Sequence, residues 1–168
     1  CVLTLACFFL RSQNPDSLNI LLKTATQDTT KLRLLVELSE VCDPSEILNY
    51  AEPAVKLANE LLRKTSNNKL KIKILSQKSN AINNIGFVYH NQGDIPKALN
   101  YYNQSLKTQK EILPNVVSKN ETINIKKGIA SSLNNIGSIY RNQGDIKTAL
   151  NYYNQAFKIQ LEIDDKEG

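Results

Sequence analysis

Apolar residues return every three or four positions along most of this chain, and the pattern is broken at regular places by Asn, Gly, Asp and Pro. One run carries Ile82, Ile85, Gly86 and Tyr89, and a later one carries Leu133, Ile136, Gly137 and Tyr140. That spacing puts each set on one face of a helix. Both runs stop at "NQGD", where Gly93 or Gly144 suits the left-handed turn that ends a helix. Asp94 or Asp145 then offers a carboxylate to cap the next helix. Those next helices carry Ala98, Leu99, Tyr102 and Leu106, matched by Ala149, Leu150, Tyr153 and Phe157. Pro96 falls in a first turn, where its missing N–H costs nothing. The pattern predicts two helix–turn–helix units.

The two units are copies. Residues 83–112 and 134–163 are identical at 21 of 30 positions, at an offset of 51 residues without a gap. A repeat of this kind buries its apolar face by stacking on a neighbour. A degraded third copy precedes them. "ILNYAEPAVKLANEL" (Ile47–Leu61) aligns with "ALNYYNQAFKIQLEI" (Ala149–Ile163), and "TKLRLLVELSEVC" (Thr30–Cys42) supplies the first helix. In that register Leu35, Leu38, Ser39 and Cys42 take the places of Ile82, Ile85, Gly86 and Tyr89, and the turn shortens to "DPSE".

These residues resemble the tetratricopeptide repeat, whose signature is W-x2-L-G-x2-Y followed by A-x3-F and a proline. Ile82, Ile85, Gly86, Tyr89, Ala98 and Tyr102 fall on it, as do Leu133, Ile136, Gly137, Tyr140, Ala149 and Tyr153. The leading Trp is replaced by Ile82 or Leu133, and the closing Pro is absent. The resemblance implies an all-α fold, an α-solenoid of about three antiparallel hairpins, over residues 29–64, 69–113 and 121–164. The period of 51 exceeds the usual length of about 34 by about 17 residues. "KLKIKILSQKSNAINN" and "ETINIKKGIASSLNN" are helix-compatible, so the excess is expected to lengthen helices to roughly five to six turns. Ser118 with Glu121 forms a candidate capping box, and Pro114 helps to end the helix before it.

Composition narrows the function. The formal charge of +5 is modest, and "KLKIK" at Lys69–Lys73 is a single basic stretch without interleaved readers, so nucleic acid is not an expected partner. Cys1, Cys7 and Cys42 form no paired motif, and one histidine leaves no usual zinc set, so neither a metal nor a cofactor is expected. "CVLTLACFFLR" is too short to span a bilayer and fits the apolar core of a secretory signal. Residues 1–13 are therefore read as a signal-peptide remnant and 14–168 as the repeat domain, exported and periplasmic or membrane-attached. The alternative is a buried first helix in a cytoplasmic protein. The last helix, with Tyr153 and Phe157, ends without a following repeat, which predicts truncation or a partner on its open face, including oligomerisation.

No catalytic constellation is present. There is no phosphate loop and no G-x-S-x-G, and His90 becomes Arg141 in its own duplicate. Tyr102 and Tyr153 read as core, and Tyr101 and Tyr152 as contacts between repeats. The informative polar residues lie on the first helix of each hairpin, which by the resemblance lines the concave surface. They are Asn83, Asn84, Phe87, His90 and Asn91, then Asn134, Asn135, Ser138, Arg141 and Asn142. An Asn amide both donates and accepts, so it can hold a peptide backbone. Asn84 and Asn135 resemble the groove asparagine of tetratricopeptide modules that grip C-terminal carboxylates, but the lysines that flank it there have no evident counterpart here. A merely solvated helix face would carry the same pattern. The chain resembles the repeat arrays in front of bacterial sensor histidine kinases, cyclases and regulators. This implies a protein- or peptide-binding input region of a larger signalling protein; a stand-alone envelope scaffold and a cytoplasmic peptide sensor are the alternatives.

Overall fold

The computed structural model describes residues 14–167, with side chains described through Asp164; the leader with Cys1 and Cys7 lies outside the described residues. Seven α-helices follow one another: α1 (Pro15–Thr24), α2 (Asp28–Val41), α3 (Ile47–Lys64), α4 (Asn68–Asn91), α5 (Ile95–Ile112), α6 (Lys119–Asn142) and α7 (Ile146–Glu167). They pair as hairpins α2–α3, α4–α5 and α6–α7, and each hairpin packs on the next. The architecture is the all-α solenoid that the periodicity predicts.

The hairpin turns work through the expected residues. Gly93 and Gly144 take φ of 79° and 82°, and among the described residues only these two have positive φ. That conformation admits glycine without strain and reverses the chain in a few residues. The Asp94 carboxylate then accepts from the Lys97 N–H at 3.2 Å, and the Asp145 carboxylate from the Thr148 N–H at 3.0 Å. The Lys97 side chain and then its amide hold the Asp94 carboxyl below the usual carboxylate range, and the Thr148 hydroxyl and then its amide do the same for Asp145. Ser118 caps α6 by accepting from the Glu121 N–H, and Leu113–Asn115 forms a short 3-10 turn around Pro114.

The long period does lengthen helices. α4 and α6 each run 24 residues, about six and a half turns and slightly beyond the expected length. Their C-terminal halves pack in the repeat's register. Gly86 lies under the Tyr102 ring, where an added Cβ would come within 2.8 Å of it, and Gly137 lies under Tyr153 in the same way at 2.9 Å. Small residues at these positions let the paired helices close while the rings fill the space between them.

The core runs through the array as overlapping clusters. One joins α2, α3 and α4 through Val36, Ala51, Ala54 and Ile85. Another joins α5, α6 and α7 through Tyr102, Leu133, Ile136 and Ala156. Tyr101 does border the preceding cluster, but its main partner is within its own hairpin: it stacks on Tyr89 with ring centroids 5.4 Å apart. Tyr152 stacks on Tyr140 at 5.6 Å in the next hairpin.

One helix was not expected. "RSQNPDS" reads as the polar start of the domain, yet Asn14 caps α1 and Pro15 opens it. Leu18 is fully buried against Leu34 and Leu38, and Asn19 donates to the Tyr50 hydroxyl at 3.3 Å. α1 thus covers one side of the first hairpin.

Candidate functional site

α4 lies between α2 and α6 on the side of the array formed by the first helices of the hairpins. Near their contacts these helices are tied by polar side chains. The Asn84 amide donates to Ser39 Oγ at 2.8 Å, and Ser39 Oγ in turn donates to the Val36 carbonyl at 2.7 Å. Asn83 Oδ1 accepts from Ser132 Oγ at 3.0 Å and from the Asn135 amide at 3.4 Å. Three asparagines expected on the ligand face therefore also serve as clasps between repeats.

Beyond these clasps, toward the N-terminal halves of α4 and α6, the helices leave a groove of about 430 Å³. α4 lines it with Lys73, Ser76, Gln77, Asn80, Asn83 and Asn84. α6 contributes Glu121, Asn124, Lys127, Gly128 and Ser131, and α2 contributes Glu40. The walls are mainly carboxamides and hydroxyls, with the apolar Ile72 and Ile125 between them. Carboxamides present a donor and an acceptor side by side, which neither carboxylates nor lysines do.

The groove floor depends on one glycine. A Cβ on Gly128 would collide with the carboxamide of Gln109, which reaches from α5 and is fully buried. Gln109 donates through Nε2 to Asn80 Oδ1 at 2.9 Å, orienting that groove amide from below. Its Oε1 is buried with no hydrogen-bond partner, an arrangement that ordinarily costs about 1–3 kcal/mol. Gly128 is thus the residue that lets a buried side chain set the direction of a half-buried one in the groove wall.

Charge is unevenly held. On α2, Glu37 is bound by the Arg33 guanidinium at 2.6 and 2.7 Å. Glu40, one turn on, makes no hydrogen bond or ion pair among the described residues. Its side chain is open to water by area, yet the surrounding protein displaces much of its hydration. That partial burial, and then the charge of Glu37, push its carboxyl up to about 7. Lys126, just outside the groove, is paired with Glu162 of α7.

The residues expected on the concave face divide between two places. Asn83 and Asn84 line the groove, and Asn135 joins Asn83 at its edge. Asn134 is half-buried on α6 and does not line the groove. Phe87, His90, Asn91, Ser138, Arg141 and Asn142 lie further along, at the C-terminal ends of α4 and α6. There the His90 ring meets Tyr102 edge-on at 6.4 Å, and Arg141 donates to Asn142 at 3.4 Å.

Gln77, Asn80, Asn124 and Glu40 escaped the sequence reading, although a signal existed. Lys73, Gln77, Asn80, Asn84, Phe87 and Asn91 follow a spacing of four, three, four, three and four, which extends the same stripe about three turns backwards. In the register that equates Ser39 with Gly86, Glu40 is the counterpart of Phe87 and Ser138.

Comparison with known families falls on the second and third hairpins. Residues 79–115 and residues 130–162 each match a model of the tetratricopeptide repeat. No curated protein matches the chain significantly. Among the described residues no helix is long and apolar enough to cross a membrane. Two matched repeats on an all-helical stack of hairpins make this chain a tetratricopeptide-like α-solenoid.

Proposed function

We propose that the chain is a non-catalytic scaffold that binds an extended peptide segment of a partner protein in the groove between α2, α4 and α6. The observation that carries this reading is the carboxamide lining, with Gln77, Asn80, Asn83, Asn84 and Asn124 on facing helices. An extended backbone offers alternating donors and acceptors; Gln77 and Asn124 can meet one of each, while Asn83, whose Oδ1 already accepts from Ser132 and Asn135, offers its amide N–H. The volume of about 430 Å³ lies within the range of ordinary ligand sites. Preorganisation strengthens the case, because Asn80 is oriented by Gln109, and Asn83 and Asn84 by their clasps.

In the wider setting, the scaffold serves as the extracytoplasmic input region of a larger bacterial signalling protein. Support comes from the apolar leader and from the likeness of the repeat phrases to arrays that precede sensor kinases and cyclases. Fusing a reporter that is active only outside the cytoplasm to the chain, expressed with the coding sequence that precedes Cys1, tests the compartment. Activity agrees with export, and its absence contradicts it.

Groove binding is tested with dye-labelled, end-blocked nonapeptides of varied sequence, followed by fluorescence anisotropy. The double substitution Asn80→Ala, Asn124→Ala should weaken every binder at least about tenfold while circular dichroism is unchanged, since two paired polar contacts are lost. Unchanged affinity in that variant, with loss on His90→Ala or Arg141→Ala, would move the site to the other end of the helices.

A further inference from the structure

We infer that the groove selects peptide segments that carry a basic side chain, placed against Glu40. This rests on the peptide-groove reading above and adds a charge and a position to it.

Glu40 is the one groove residue contributed by α2, so it stands on the opposite wall from Asn124 of α6. Its position along the groove follows from its neighbour, because Ser39 is bonded to Asn84. Lys73, the α4 cation in the groove, precedes Asn84 by 11 residues, which is about 16 Å along the helix. That distance is too great for an ion pair and corresponds to about five residues of extended chain. Glu37, one turn back on α2, is ion-paired with Arg33, so it offers Glu40 no cation of its own.

The causes acting on Glu40 agree with this geometry. Its carboxyl is raised by partial burial and by Glu37, and no cation offsets them. The other charged groups of the groove, Lys73 on α4 and Glu121 and Lys127 on α6, therefore leave Glu40 uncompensated. A lysine or arginine of a bound peptide would supply the missing charge. Such a pair, partly shielded from water, is stronger than one on an open surface.

The sign of the pH dependence follows. Below about 7 the Glu40 carboxyl holds its proton, and a basic side chain gains little from it. Above that value the carboxylate forms, and binding of a basic peptide strengthens.

The test uses three end-blocked nonapeptides that differ at one central position, Lys, norleucine or Glu, with the full chain and with Glu40→Gln. The lysine peptide is expected to bind the wild-type chain about five- to tenfold more tightly than the norleucine peptide at pH 8. That preference should shrink at pH 6 and vanish in Glu40→Gln, where the lysine and norleucine peptides should bind alike. Equal binding of the lysine and norleucine peptides, or a lysine preference that survives Glu40→Gln, overturns the inference and leaves the groove reading standing. Failure of all three peptides to bind overturns both.

Discussion

Hairpins α4–α5 and α6–α7 are nearly the same sentence, yet their second helices live in different surroundings. On α5, Leu106 is 9% exposed, and Leu99 and Ile95 pack against the cluster that α6 completes. On α7 the counterparts Phe157, Leu150 and Ile146 are 59%, 54% and 53% exposed. Tyr102 is fully buried with an unpartnered hydroxyl and a raised pKa, whereas Tyr153 is half-buried. What differs is the neighbour: α5 is followed by α6, and among the described residues nothing is stacked on the outer face of α7. In a solenoid, a residue's burial belongs to the stack as much as to the repeat.

That difference sets the largest expected effects. Leu106→Ala should cost about 2–3 kcal/mol in urea denaturation, the usual loss for a buried leucine. Phe157→Ala, at the matching position, should cost less than about 0.5 kcal/mol. Equal losses would show that α7 is covered in solution.

The glycine pair comes next. Gly86→Ala would force a methyl against the buried Tyr102 ring and against Tyr101 Cβ at 3.1 Å, at a cost of about 1–2 kcal/mol. Gly137→Ala meets the half-buried Tyr153 ring and the Ala149 carbonyl at 3.3 Å, so its cost should be smaller than that of Gly86→Ala and partly offset by helix propensity. Thermal denaturation of the two variants side by side reads the contrast.

The caps come nearest to a control, because both carboxylates accept from the amide three residues on, although Asp94 also pairs with Lys97 where the other copy has Thr148. Asp94→Ala and Asp145→Ala should each destabilise the chain modestly at neutral pH. Both carboxyls are depressed in the folded state, by their hydrogen bonds first. Their stabilisation is therefore present above the ordinary carboxylate pKa and is lost as pH falls through the lowered folded value. The two variants should converge on the parent protein in strongly acidic solution. The smallest effect is Glu40→Gln. Its raised folded pKa penalises the charged form, so the substitution should stabilise the chain slightly at pH 8 and not at pH 4.

The same comparison explains what could be read from the sequence. Gly93, Gly144, Asp94 and Asp145 announced the turns because few residues can do their work, and doubling removed any ambiguity. Leu35, Leu38 and Ser39 were enough to place the first hairpin despite its degraded turn. α1 was hidden because its capping signal, Asn14-Pro15-Asp16, also reads as the polar edge of a leader. The groove was half hidden. Carboxamides at helical spacing look alike whether they face solvent or a facing helix, and the stripe was followed only from Asn83 onward. Neither the Gln109 bond to Asn80 nor its passage over Gly128 leaves a periodic trace, since the partners are 29 and 19 residues away in sequence. Glu40 is equally silent, because the first hairpin has diverged and Glu40 stands where the other copies have Phe87 and Ser138.

The most direct test is a map of where a peptide sits. Nitrogen-15 spectra of the full chain, titrated with the lysine nonapeptide, report each side-chain amide separately. The account predicts shifts of the Gln77, Asn80, Asn83, Asn84 and Asn124 amides, with Asn91 and Asn142 unmoved. Shifts confined to Asn91, His90, Arg141 and Asn142, with the groove amides silent, would contradict it.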